Sequence, residues 1–194
     1  MKAAVQQGKP VTVPPATTIA DGIAVRRAGD LTLPLVAKYV DELVTVDEEE
    51  IANAILLLLE REKTLAEGAG ASPTAALLQR KTSLRGRNVV VLVAGGNIDV
   101  TFLSRIIERG LVKDGRLVRF RLRLPDHPGA LARLATVIGD QRANILHITH
   151  DRAYAGVSLG DTTVEVVLET RGAEHIAALT EAFAAAGYAI QRVS

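Results

Sequence analysis

Cysteine is absent from this sequence, and aromatic residues make up only 3% of it. The first absence excludes a disulfide framework and thiolate metal or redox chemistry, and it suits a reducing compartment, so the chain reads as cytoplasmic. The second argues against a surface that stacks single-stranded nucleic acid. Charge points the same way: the formal net charge is +1 and the basic residues are scattered, leaving no footprint for nucleic acid or an anionic membrane. No apolar run approaches the roughly 20 residues of a membrane span, and the start of the chain lacks the apolar core of a signal peptide. Neither nucleic acid nor membrane is expected as a partner.

What the chain does have is aliphatic. Hydrophobic residues make up 48% of the 194 residues and are chiefly Ala, Leu, Val and Ile, as suits a soluble globular protein of one large or two small domains. Lys9-Pro10-Val11-Thr12-Val13-Pro14-Pro15 leads at once into structured-looking sequence, as in a chain joined part-way through its fold.

Asp47-Glu48-Glu49-Glu50-Ile51 carries the N-cap and third-position glutamate of a capping box, which predicts a helix start. Apolar residues then fill more than one face, from Ile51 to Leu59, so this helix should be buried nearly all round. Leu43–Val46 reads as a short strand, Pro34–Glu42 as a helix, and Gly68–Leu78 as a helix whose small residues allow close packing. Val89–Val93 is a continuous aliphatic run of the kind found in a parallel strand covered on both faces. Gly95-Gly96-Asn97 turns the chain, a helix follows over Asp99–Arg109, and the glycines and charges of Arg109–Arg116 mark a domain boundary.

Beyond it the texture changes. Phe120, Leu122 and Leu124 alternate with Arg119, Arg121 and Arg123, the period of a strand with one buried face. Pro128–Ile138 reads as a helix, Asn144–Arg152 and Thr162–Thr170 as strands joined by a loop over Gly156–Gly160, Glu174–Ala186 as a helix and Ala189–Val193 as a strand. The order βαββαβ is the ferredoxin-like arrangement, and it sets Arg119, Arg121 and Arg123 opposite Glu165 and Glu169 on the uncovered face.

Candidate sites are few. Leu124-Pro125-Asp126-His127-Pro128-Gly129-Ala130-Leu131 joins a strand to a helix whose free N–H groups, with Gly129 and Asp126, suit a free amino acid. From spacing alone, Pro128 and Gly129 starting the helix and Asp126 capping it is the plainer reading. His147 and His150 fall on a strand at odd spacing, which sends them to opposite faces and argues against a metal pair. No Gly-x-Gly-x-x-Gly turn occurs, and Gly156-Val157-Ser158-Leu159-Gly160, though it matches Gly-x-Ser-x-Gly, reads as the loop between two strands and not as the strand-to-helix elbow of a hydrolase.

With Asn144-Ile145 and the run from Val118 to Ser194, the Asp-x-Pro-Gly-x-Leu turn resembles an ACT domain, an amino-acid-sensing module of metabolic enzymes. The resemblance implies an effector site around Asp126, His127, Pro128, Gly129 and Asn144 at an interface between paired modules. It also implies isoleucine or valine as candidate ligands and a homo-oligomer formed through this domain. Four ordered blocks, Thr17–Val25, Tyr39–Val46, Glu67–Ala71 and Gly95–Asp99, resemble the latter half of the catalytic domain of threonine ammonia-lyases. That implies a part of a three-layer α/β pyridoxal phosphate enzyme of fold type II, tryptophan synthase beta-like, over residues 1–112, followed by an ACT domain over residues 117–194.

In that family a lysine near the beginning carries pyridoxal phosphate covalently, and threonine is converted to 2-oxobutanoate and ammonia. By resemblance, Ala94, Gly95, Gly96, Asn97 and Glu67 would line the cofactor, with Ala94 at a position where relatives commonly place serine. None of the six lysines, Lys2, Lys9, Lys38, Lys63, Lys81 and Lys113, stands in the family's lysine motif, nor is its phosphate cup present. The expectation is therefore a chain with no catalytic residue of its own, no covalently held cofactor and no turnover alone. The alternative is a non-catalytic ACT-domain sensor or regulatory protein.

Overall fold

The computed structural model describes residues 1–151, 158 and 160–193. The chain divides into two compact units, Met1–Ile106 and Ile107–Ser194. The expected Gly156–Gly160 loop lies largely outside the described residues.

The first unit is helical. It contains α1 (Lys2–Gln7), a 3-10 turn at Asp21–Ile23, α2 (Thr32–Tyr39), α3 (Glu48–Leu57), α4 (Gly68–Leu78) and the first half of α5 (Val100–Lys113). The capping box forms as the sequence predicts: Glu50 N–H donates to Asp47 Oδ1 at 2.9 Å and Asp47 N–H to Glu50 Oε2 at 2.8 Å. α3 buries Ile51, Ala54, Ile55 and Leu56 and passes into a π-helical turn over Leu58–Glu62. It packs on α4, whose buried Gly68, Gly70, Ala71, Ala75 and Ala76 present almost no side chain and so let the backbones approach.

Two expected strands differ. Leu43–Val46 and Val89–Val93 are non-helical, but neither pairs in a sheet among the described residues, and Val90 is 97% exposed. An apolar run dictates burial only when neighbouring strands exist to bond it; pairing is a tertiary property that the run does not contain.

The second unit is the βαββαβ fold. Its elements are β1 (Leu117–Pro125), α6 (Ala130–Asp140), β2 (Asn144–Asp151), β3 (Asp161–Glu169), α7 (Ala173–Ala185) and β4 (Ala189–Val193), in one antiparallel sheet of order β2-β3-β1-β4. Alternation along β1 and β3 buries Phe120, Leu122, Leu124, Val164, Val166 and Leu168 with Leu134 and Ile138 of α6 and Leu179 and Phe183 of α7. Each such side chain is worth about 1.5–3 kcal/mol of burial. Phe183 meets Phe120 edge-on, with ring centroids 5.3 Å apart.

On the opposite face Arg121 pairs with Glu165 at 3.0 Å and Arg119 with the same carboxylate at 3.6 Å. Arg123 instead meets Asp161 at 3.6 Å, and Glu169 accepts from Asn144 Nδ2 at 3.1 Å, because the register sets Glu169 opposite Leu117 at the other end of β1. β2 is an edge strand with a bulge between Ile145 and His147. The register places His147 beside Val167 on the open face and His150 beside Val164 on the helix face.

Candidate cofactor wall and effector cleft

In the first unit three segments meet through glycines. A Cβ at Gly68 would overlap the carbonyl of Ile19, and one at Gly70 the carbonyl of Ala94. Gly95, at φ +81°, leaves room for the Glu67 carboxylate, whose Oε1 lies 2.6 Å from where a Cβ would stand. Glu67 N–H donates to Gly95 O at 3.1 Å, and Glu67 Oε2 accepts from Asn97 N–H at 3.1 Å. The side chain and the backbone of one residue thus hold both ends of the Gly95–Asn97 turn.

All five residues that the sequence nominates here, Glu67, Ala94, Gly95, Gly96 and Asn97, therefore stand together. Ala94 to Asn97 are exposed, so this is an open wall bearing one carboxylate. Two neighbours complete the wall: Leu65, not marked by the sequence, whose carbonyl lies 3.1 Å from a Cβ built at Gly96, and the Thr18–Gly22 loop behind Gly68 and Glu67, part of the Thr17–Val25 block but without an expected role there. Both act through backbone atoms, which carry no residue-type signal.

Three lysines are engaged elsewhere. Lys63 Nζ donates to Glu60 O at 2.6 Å, closing the helix end. Lys81 pairs with Glu50 at 2.8 Å, and that hydrogen bond raises its pKa above the ordinary value. Lys38 stands over the Tyr39 ring.

In the second unit the β1–α6 turn borders an open cleft of about 420 Å³, lined by Asp126, His127, Pro128 and Gly129 together with His150 of β2 and Thr162 of β3. Gly129, at φ +84°, is the N-cap of α6. His127 lies 3.0 Å from Pro128 O through Nδ1 and 2.8 Å from Arg133 Nη2 through Nε2. A guanidinium only donates, so Nε2 is the acceptor and Nδ1 carries the proton that bonds Pro128 O. Both ring nitrogens are thereby occupied. Thr162 donates to Asp151 O at 2.7 Å.

Asn144 does not join this cleft within one chain. It pairs with Glu169 while the turn lies beyond Asp161, eight positions along β3 or about 26 Å at roughly 3.3 Å per residue. His150 and Thr162, brought in by sheet register, were not nominated from sequence; no local motif marks them.

In comparison with known proteins, each of the two units carries one family match. Residues 1–95 match the model of the pyridoxal-phosphate dependent enzyme family and residues 118–188 that of the ACT domain. An L-threonine ammonia-lyase of Geobacter sulfurreducens is 53% identical over 186 residues, covering 95% of this chain and 46% of that protein. By sequence, the chain fits the C-terminal part of a threonine ammonia-lyase. A second relative, from Thermotoga maritima, is 45% identical over 193 residues, covering 100% of this chain and 48% of its own length. The chain thus spans about half the length of the curated relatives it matches. Among solved structures, a T.th. threonine deaminase is 34% identical, covers 50% of this chain and 35% of its own, and superposes with a TM-score of 0.48. Among the described residues no helix is long and apolar enough to cross a membrane.

Proposed function

We propose that this chain supplies the C-terminal part of a cytoplasmic threonine ammonia-lyase: one wall of its pyridoxal phosphate site, over residues 1–112, and an ACT effector domain over residues 117–194. The observation that carries the reading is the Glu67 carboxylate bonded to the Gly95–Asn97 turn in a chain similar to threonine ammonia-lyases over its whole length.

The fit to the cofactor is one-sided. Ala94 to Asn97 offer an exposed, side-chain-poor surface against which a planar ring can lie, and Glu67 offers a carboxylate beside it, while Lys63, Lys81 and Lys38 are engaged elsewhere. When bound, pyridoxal phosphate supplies the electron sink that lets threonine lose its α proton. This chain's share is orientation: Gly95 leaves room for the Glu67 carboxylate that fixes the turn, Gly96 leaves room for the Leu65 carbonyl, and the Ala94 side chain offers no hydrogen bond. Without a lysine in the family's setting, the chain alone does not hold the cofactor covalently and does not turn over.

The effector reading rests on the cleft at Asp126–Gly129. Because Asn144 stands at the far end of β2, a site that uses both draws Asn144 from a second copy, which makes the effector-bound form a homo-oligomer. Isoleucine or valine fits a cleft bordered by Leu124 and Leu131, and an end-product amino acid there would give allosteric control of isoleucine biosynthesis. A non-catalytic sensor is the second reading, favoured by a cleft built wholly from the second unit.

The test has two arms. The 194-residue chain mixed with pyridoxal phosphate and threonine should form no 2-oxobutanoate, and turnover at the level of a family enzyme overturns the assignment of one wall only. Calorimetry with isoleucine, valine, serine and threonine should give a heat that Asp126→Ala removes; no binding by any of them removes the effector reading.

A further inference from the structure

The wall is held by a residue that lies outside it. Glu48, the first residue of α3, accepts from Thr18 Oγ1 at 2.6 Å through Oε1 and from Ile19 N–H at 2.8 Å through Oε2. Thr18 Oγ1 in turn accepts from Ala20 N–H at 3.1 Å. One carboxylate therefore fixes three consecutive residues of a loop that has no regular structure. The two bonds to Glu48 are charge-assisted, roughly twice as strong as neutral ones.

The loop so fixed is the one pressed against the wall. The Ile19 carbonyl fills the space a Cβ at Gly68 would need, and Gly22 faces Glu67 and Ala69, with Glu67 Oε1 3.2 Å from a Cβ built there. Glu67 immediately precedes Gly68, and its carboxylate is the partner of Asn97 N–H. Glu48 is itself on an anchored helix start, between the Asp47–Glu50 capping box and the Lys81–Glu50 pair. An acid in a first turn is ordinarily a helix-dipole residue; here it bridges 30 residues of sequence to a loop.

We propose that Glu48 is a positioning residue: through Thr18 and Ile19 it sets the loop against Gly68, and thereby fixes the Glu67 carboxylate that holds the Gly95–Asn97 turn. Its catalytic meaning rests on the cofactor-wall reading above. The positioning itself is measured with no cofactor present, so the two fail separately.

Amide hydrogen exchange on the full 194-residue chain tests it, comparing Ile19, Asn97 and, as a helix control, Ile51, whose N–H bonds Asp47 O. Glu48→Ala should speed exchange at both Ile19 and Asn97 by about tenfold or more while Ile51 is unchanged. Glu48→Gln retains an oxygen for Ile19 N–H and an NH2 group for Thr18 Oγ1, so it should bring Asn97 back to within about twofold of the parent. If the alanine variant also loses Ile51 protection, Thr18→Val decides: it removes the bond to Glu48 and the one from Ala20 N–H but leaves the helix-start charge, and Asn97 must still exchange faster with Ile51 intact. Faster exchange at Ile19 with Asn97 unchanged, or equal losses in the Ala and Gln variants, overturns the assignment.

Discussion

The Glu67 carboxylate occupies the space that a side chain at Gly95 would fill, its Cδ lying 2.5 Å from that Cβ position. The glycine is required twice, by this contact and by its φ of +81°. Gly95→Ala should therefore cost more than the roughly 1–2 kcal/mol of a left-handed alanine, because the carboxylate must also leave. A double-mutant cycle with Glu67→Ala measures the second part: stability by denaturant should be less than additive, since removing the carboxylate relieves the clash but not the backbone strain. Additive losses would show that the two residues do not share this space.

Gly70 meets backbone instead. A Cβ there would overlap the Ala94 carbonyl, which cannot move away by changing rotamer. Gly70→Ala should destabilise the first unit by about 1–3 kcal/mol, the usual range of overpacking, and Glu67→Ala should not rescue it. Thermal unfolding monitored at α4 amides is the measurement; a loss below about 0.5 kcal/mol would contradict the close approach.

Local chemistry was legible in the sequence where one stretch determines it. The capping box, the small-residue helix at Gly68–Leu78 and the βαββαβ order follow from spacings a few residues long. The helix expected to stop at Arg109 runs on to Lys113, past Gly110, and the stop falls at Gly115, φ +67°, where Arg116 N–H bonds Leu111 O. A glycine inside a helix costs only about 1 kcal/mol, so either was eligible from sequence. Long-range partners were not legible: Glu48 looks like any first-turn acid until Thr18 is beside it, and the apolar run Val89–Val93 names no neighbouring strand.

The Arg27–Asp30 pair gives a pH prediction. Two hydrogen bonds, at 2.8 and 3.1 Å, and the charge of Arg27 lower the Asp30 pKa. A lowered carboxylate stabilises the fold above its ordinary value of about 3.9, and that contribution is lost as pH falls through the folded-state value. Both groups are exposed, so the effect is local and screened by salt. Carboxyl NMR should show Asp30 titrating below the ordinary value in the parent and near it in Arg27→Ala; an unchanged midpoint would remove the pair as its cause.

His175 links two turns of the second unit and is 8% exposed. Its Nδ1 accepts from Arg171 N–H at 3.1 Å, so its Nε2 carries the proton donated to Gln141 O at 2.8 Å, where α6 ends. Arg171 reaches the same place, donating to Arg142 O at 3.0 Å. A neutral ring in one tautomer therefore satisfies a donor before α7 and an acceptor after α6. His175→Phe keeps the volume and leaves both groups unpaired, which should cost about 1–3 kcal/mol. His175→Gln offers an oxygen and an NH2 group and should recover part of the loss. Exchange at the Arg171 amide separates the causes: a hydrogen-bonding role requires faster exchange in the Phe variant than in the Gln variant, whereas equal exchange in both would reduce His175 to a packing residue.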